Sequence, residues 1–313
     1  MHLLRYLLLL LACANAAAQP YPAKPVRWIL PAQAGGANDT AARLIAPRLS
    51  EALGQSVIVD NRGGAGGNLA METGARAAPD GYTVVQISTI QAMNMSFYRK
   101  LPYDLVRDFA PVVELISVAT VIVVHPSVPA RTPQELIDYA RANPRRLNFV
   151  SGTNGATGHY LKYLTGLNME VVLYKGTPPA VTELVAGQGH VMIGTTSDLM
   201  PFARAGKLRA LALTSSTKRS PLFPDLPPLA DTVPGFENPI WYGVAVPART
   251  PPAVVKRLHA EYTQVLQNAE VRQRLAGMGY EVSAGSSEQF GARIRNEVAK
   301  WPKVVEAMGG PLN

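Results

Sequence analysis

The sequence predicts an α/β protein of two units, with a chain that crosses from one unit to the other and back. Short apolar runs alternate with amphipathic helix-forming stretches along most of the chain, the pattern of βαβ units and a parallel sheet covered on both faces. The 313 residues exceed what one core comfortably holds, so two domains are expected. Two strand-like passages, one before His125 and one before Pro247, bracket the second unit. Two α/β units joined by a pair of crossings make a clamp with a double hinge. Ligands of open α/β sheets sit outside the carboxyl ends of the strands.

The elements follow in order. "VRWIL" (26–30) is the first strand, and a helix over 40–53 follows it. Asn38, Asp39 and Thr40 cap that helix. "SVIVD" (56–60) is the second strand; after it come the glycine-dense "NRGGAGGN" (61–68), read as a flexible or tightly turned connection, and a helix from about Leu69. "TVVQIS" (83–88) is the third strand, entered from the turn "APDGY". "FAPVVELISVATVIVVHP" is β-branched and continuous, one or two buried strands that leave the first unit. The next helix opens at "TPQE": Thr132 as N-cap, Pro133 at the first helical position, Glu135 closing a capping box.

Strands over 147–150, 171–174, 190–194 and 208–213 then alternate with helices. A Pro-rich connector (220–239) leads to the strand "IWYGVAVP" (240–247). Thr250-Pro251 caps a long helix whose apolar face is Val254, Val255, Leu258, Tyr262, Val265 and Leu266. A strand over 280–283 and a capped helix from Ser286 to Met308 close the chain. The expected division is a leader over 1–18, a discontinuous first lobe over 19–124 and 247–313, and a second lobe over 125–246.

The leader is read from "MHLLRYLLLLLACANAAAQPYP": a short start carrying His2 and Arg5, an apolar run, then small residues. That is the layout of a secretory signal, too short to span a bilayer. Cleavage near Gln19 places the mature protein outside the cytoplasmic membrane, in the periplasm. Cys13, the only cysteine, lies in this segment. "LLAC" also resembles a lipoprotein box, which would make Cys13 a lipidated first residue; ordinary cleavage is the preferred reading.

Composition excludes several classes. Hydrophobic residues are 47% and charged residues 17%, an ordinary globular balance. The net charge of +8 is scattered through segments such as "NPRRLN", "TKRS" and "VRQR", without the concentrated basic face of a nucleic-acid binder. No nucleic-acid partner is expected. A polyanion-binding surface is the reading that scattered charge leaves over, and its binding would collapse with salt.

Two strand–loop–helix junctions hold the binding chemistry. In "LPAQAGGANDTAAR", Gly35 and Gly36 allow a tight turn, and the free amides and dipole of the following helix favour an anion. In "SGTNGATGH", Ser151, Thr153, Asn154 and Thr157 offer small polar groups beside permissive glycines, the inventory for holding a carboxylate without a cation. Helix capping alone explains either loop equally well. Neither matches a phosphate-loop or dinucleotide spacing. His159 opens a helix beside the second loop and is a candidate ligand contact. No histidine pair stands at i, i+4, and no G-x-S-x-G elbow is present. No metal, cofactor or catalytic residue is expected. The enzyme alternative rests on His159 with Asp198 as an acid–base pair, which nothing in their spacing favours.

The order of motifs is similar to that of solute receptors of the tripartite tricarboxylate transporter family, the Bug-type extracytoplasmic receptors. The matching pieces are "PAQAGGANDTAARLIAPRLSEALGQSVIVDNRGGAGGNLA", "APDGYTVV", "LPYDLVRDFAPV", "YKGTPPAVTELVAGQ", "AGKLRALALTSSTKRS", "WYGVAVPARTP" and "NEVAKW". Each is weak alone; seven in one order cover the mature chain. The resemblance implies a type II periplasmic-binding-protein fold, two Rossmann-like lobes joined by a two-strand hinge. It implies capture of a small organic acid for a membrane permease, or for signalling, by a monomer without turnover. Carried over by position, it places first-lobe contacts at Gln33, Ala34, Gly35, Gly36, Ala37, Asn38, Ser88 and Thr89. Second-lobe contacts fall at Ser151, Thr153, Asn154, Gly155, Ala156, Thr157, His159, Tyr174, Lys175 and Thr195.

The chain departs from the family pattern in places. "VLYKG" puts Leu173 where the pattern has proline, and "VMIG" puts Gly194 where it often has an acid that meets a ligand ammonium. A non-amino carboxylate is therefore the preferred solute.

Overall fold

The computed structural model describes residues 21–35, 37–152, 155–174, 176–215 and 223–311. The expected leader and Cys13 lie outside the described residues.

Two sheets form two lobes. The first contains β1 (Val26–Leu30), β2 (Val57–Asn61), β3 (Thr83–Ser88), β4 (Phe109–Val118), β10 (Ile240–Pro247) and β11 (Tyr280–Val282), in the order β11-β4-β10-β3-β1-β2. The second contains β5 (Thr120–Val124), β6 (Asn148–Ser151), β7 (Glu170–Leu173), β8 (Val191–Thr195) and β9 (Arg209–Leu213), in the order β7-β6-β8-β5-β9. In the first lobe α1 (Ala37–Leu53), α8 (Pro252–Gln267) and α9 (Ala269–Gly277) bury their apolar faces on one side of the sheet. The other side is covered by α2 (Asn68–Ala75) and α10 (Ser287–Ala307). In the second lobe α6 (Thr177–Val185) and α7 (Thr196–Arg204) cover one face, α4 (Pro133–Ala142) and α5 (Ala156–Thr165) the other.

The sheets are mixed rather than parallel, which corrects the sequence expectation. β10 runs antiparallel to β3 and β4, and β5 runs antiparallel to β8 and β9. These are the strands by which the chain enters each lobe from the other. A strand that starts at the crossover must run away from it, while its neighbours run toward it. This direction fixes where the site lies. β4 leaves its lobe at its carboxyl end, and β1, β2 and β3 share its direction. β5 starts at the crossover, so the carboxyl ends of β6, β7, β8 and β9 lie on that edge too. The carboxyl-end loops of both sheets therefore border the crossover.

The lobe boundaries also move. The first crossing is Ala119, between β4 and β5, so 120–124 belongs to the second lobe. The return crossing is at Asn238 and Pro239, so 240–246 belongs to the first. Nor does the last helix stay in the first lobe. Trp301, Val304 and Val305 of α10 join one core with Phe149, Tyr160 and Leu211. The Trp301 ring lies 5.5 Å from Tyr160 and 6.0 Å from Phe97. Phe97 belongs to α3 (Thr89–Phe97), a helix the sequence analysis did not anticipate.

Candidate ligand-binding cleft

At the return crossing a small network of hydroxyls and amides ties the two lobes together. The Thr120 hydroxyl donates to Asn238 O (3.2 Å) and accepts from the Thr214 hydroxyl (2.8 Å). Asn238 Nδ2 donates to the Thr157 hydroxyl at 3.1 Å. The Thr89 hydroxyl donates to Pro239 O (3.0 Å) and accepts from Trp241 N–H (3.1 Å). Thr89 begins α3 in the first lobe, and Thr157 is in the first turn of α5 in the second. One dipeptide, Asn238-Pro239, thus ties down a helix start from each lobe. The two openings flank a shared edge.

On the first lobe this edge holds a cavity of about 310 Å³. Its wall comprises Pro31, Ala32, Gln33 and Asn38 after β1, glycines 63, 64, 66 and 67 after β2, Ser88, Ile90 and Gln91 at the start of α3, and Tyr242 of β10. None of these side chains is charged. Gln33 is exposed and Asn38 half-buried. Asn38 Oδ1 accepts from Asp39 N–H at 2.9 Å. Buried Asp39 organises the loop: Oδ2 accepts from Gly35 N–H (2.8 Å), and Oδ1 from Asn61 Nδ2 and Arg43 Nε (2.9 Å each). Burial alone would raise the Asp39 pKa, but the Gly35, Arg43 and Asn61 hydrogen bonds outweigh it and hold the carboxyl below its ordinary value. The loop keeps this brace at neutral pH and loses it only as pH falls through that lowered value. Gly35 N–H is engaged inside the loop and is not a free anion donor, contrary to the sequence expectation.

Ser88 is the N-cap of α3. Its hydroxyl accepts from Ile90 N–H (3.2 Å) and donates to Gln91 Oε1 (2.7 Å), and its own N–H donates to Gln91 Oε1 (3.0 Å), which closes a capping box. Thr89 is 1% exposed and engaged on both sides. Its hydroxyl is bonded to the return crossing. The glycine-dense segment forms cavity wall, where the sequence had predicted only a connection.

Three second-lobe loops reach the same edge. Ser151 ends β6, and its carbonyl accepts from Tyr174 N–H at 2.8 Å. Tyr174 is half-buried against the second-lobe core. Gly155 is the N-cap of α5, and Ala156 beside it is buried. The Thr157 hydroxyl is a hinge acceptor. Thr195 caps α7: its oxygen accepts from Asp198 N–H (3.2 Å), and its hydroxyl donates to Asp198 Oδ2 (2.7 Å). Gly36, Thr153, Asn154 and Lys175 lie outside the described residues, and Ala37 is described only as the first residue of α1. Pro31, Ile90, Gln91 and Tyr242 are cavity residues that the sequence analysis missed. The Ser-x-x-Gln spacing from Ser88 to Gln91 was the available signal for α3.

His159 is half-buried in α5. Burial, then the Lys162 charge, lowers its pKa from the ordinary histidine value, so the ring is neutral at pH 7. Stability should fall as pH drops from about 6.5 toward that lowered value, because the unfolded chain takes the proton first. Carboxylate affinity should show no step above about pH 6.5, and His159→Gln should change the dissociation constant by less than about threefold, since a neutral ring adds no charge. Calorimetric titration across pH checks both; a tenfold gain on acidification would reveal a charged contact.

A second groove, of about 500 Å³, runs along α10 past Tyr160, Glu237, Arg293, Glu297 and Lys300. It has cations, but they are already paired. Lys300 Nζ donates to Glu237 O (2.7 Å) and Glu297 Oε1 (3.0 Å), and Arg293 Nε lies 3.4 Å from Glu114 Oε2. Among the described residues no metal-binding group of His, Cys, Asp and Glu occurs, and no helix is long and apolar enough to cross a membrane. His159 makes no hydrogen bond to Asp198, whose Oδ2 takes the Thr195 hydroxyl.

The family model described as "Tripartite tricarboxylate transporter family receptor" matches residues 41–310. Protein BugT of Bordetella pertussis is 33% identical over 306 residues, spanning 96% of this chain and 94% of that protein. An R. palustris protein solved with adipate superimposes with a TM-score of 0.79 at 33% identity, covering 93% of this chain and 100% of that one. MatC from Rhodopseudomonas palustris, solved with bound malate, gives 0.77 at 29% identity, covering 91% and 99%.

Proposed function

Because the chain belongs to the tripartite tricarboxylate transporter receptor family, we propose that it captures a small organic carboxylate outside the cytoplasm and hands it unchanged to a membrane permease. The observation that carries this is the shared edge: the first-lobe cavity and the second-lobe loops flank Asn238-Pro239, with a helix start from each lobe fixed there. Helix starts favour an anion, and a cavity wall without cations can release it again. The protein works in the periplasm as a monomer, and closure of the lobes over the ligand is the signal to the permease. A ligand that contacts both lobes shifts the open–closed equilibrium by its preference for the closed form. The structures solved with adipate and malate support a carboxylic acid as the solute class.

The test is titration calorimetry with adipate and malate, followed by mass spectrometry of the recovered ligand. The expected result is saturable binding of at least one acid, recovered intact. Recovery of an altered product would replace the receptor with an enzyme, and no binding of either acid would remove the carboxylate reading.

A further inference from the structure

Six large apolar side chains stand exposed among the described residues, and three of them, Leu69, Ile90 and Leu173, lie at or just after the carboxyl ends of strands. Ile90, 38% exposed, is in the first turn of α3 and lines the first-lobe cavity. Leu173, 51% exposed, ends β7. It lies against the opening of α5, where a Cβ on Gly155 would come within 2.9 Å of its Cδ2. The carboxyl-end edges of both lobes therefore carry uncovered aliphatic side chains, of which Ile90 is the one in the cavity wall. Several described polar side chains of the edge are engaged locally: Ser88 with Gln91, Asn38 with Asp39 N–H, Thr195 with Asp198. Among the described side chains these three pairs already use part of their hydrogen-bonding capacity on one another, and a ligand hydroxyl desolvated without a partner weakens binding.

We propose that Ile90 and Leu173 grip the apolar body of the bound acid, so that the solute is a carboxylate on an apolar chain or ring rather than a compact hydroxy acid. This rests on the carboxylate-receptor reading above. Neutral polar groups and backbone amides hold the carboxylate, which every member of the class shares. The two aliphatic side chains select among members by how much apolar surface the acid brings to cover them. Covering apolar surface is favourable in proportion to its area, roughly fourfold in affinity for each methylene buried. A longer acid brings more methylenes to cover these side chains as the lobes close.

Succinate, malate and adipate are the probes, with dissociation constants measured by calorimetry on the unmodified protein and on Ile90→Asn and Leu173→Asn. Both positions are surface-exposed, and unchanged melting curves verify that the variants fold. Adipate should bind at least about tenfold tighter than succinate, given two further methylenes, and malate no tighter than succinate. Each variant should shrink the adipate-to-succinate ratio to under about threefold, since half of the apolar contact is gone. Equal affinities, a preference for malate, or a ratio unmoved by both variants would overturn the apolar grip while leaving a carboxylate receptor intact. Failure of all three acids to bind would overturn the receptor reading with it.

Discussion

Gly152→Ala is expected to abolish carboxylate binding and lower the melting temperature by several degrees. Gly152 follows β6, and a methyl group there would fall well inside van der Waals contact of Thr177 N, Thr177 Cα and Gly176 C. Those atoms are backbone and cannot swing aside as a flexible side chain would. The second-lobe loops after β6 and β7 are in direct backbone contact, and Tyr174 N–H to Ser151 O fastens them just beside this point. Overpacking of this kind costs about 1–3 kcal/mol, and each kcal/mol shifts Tm by about 2–4 °C in a protein of this size class. The larger effect is on the site, because the backbone that must shift belongs to both second-lobe loops. Gly166→Ala is the matched control. Gly166 follows α5 in the same lobe and has open space around it, so only its left-handed backbone is penalised, by about 1 kcal/mol. Scanning calorimetry and ligand titration on both variants separate the effects. Normal affinity in Gly152→Ala would show that the second-lobe loops are not part of the site.

Gly67→Val should have a comparable effect from the first lobe. Gly67 is buried in the cavity wall with φ at 85°. A β-branched residue is a steric outlier at that angle. Its Cβ would lie 2.6 Å from Gln91 Nε2 and 2.8 Å from Pro31 Cβ, both cavity groups. The wall must rearrange around any side chain at this position. A loss of affinity of about tenfold or more is expected, in line with roughly 1–3 kcal/mol of overpacking in the wall, with the sheet intact because the loop lies at its edge. Circular dichroism and titration check this; retained affinity would place the ligand elsewhere.

Much of the fold was legible because the chain's hydrophobic period is unambiguous where strands are buried on both faces. β1, β3 and β10 fall where "VRWIL", "TVVQIS" and "IWYGVAVP" stand. Direction was not legible. Periodicity says that 120–124 and 240–247 are strands but not that they run against their neighbours, which depends on where the crossover lies. Helix α3 was missed because "TIQAMNMSF" lacks charged residues and is buried on most sides, so no polar face marks its turn. The swap of Trp301 into the second-lobe core is a tertiary fact with no local signature.

The candidate site was half legible. Loop chemistry pointed to the regions after β1 and β6, and Gln33, Asn38 and Ser88 do line the cavity. Position alone could not tell hydroxyls that face a ligand from those that hold the hinge. Thr89 and Thr157 look like ligand contacts in sequence and are bonded to the return crossing in space. The glycine run after β2 was undervalued because glycine has no chemistry of its own; its role is to let the backbone form the wall.

A crystal structure of the protein grown with adipate most directly tests the claim that a small carboxylate is held between the two lobes. The account predicts the acid at the first-lobe cavity beside Asn38, Ser88 and Tyr242, with second-lobe loops around Ser151 and Gly155 closed over it. An acid bound instead in the α10 groove between Arg293 and Lys300, with the cavity beside Ser88 unchanged, would contradict it.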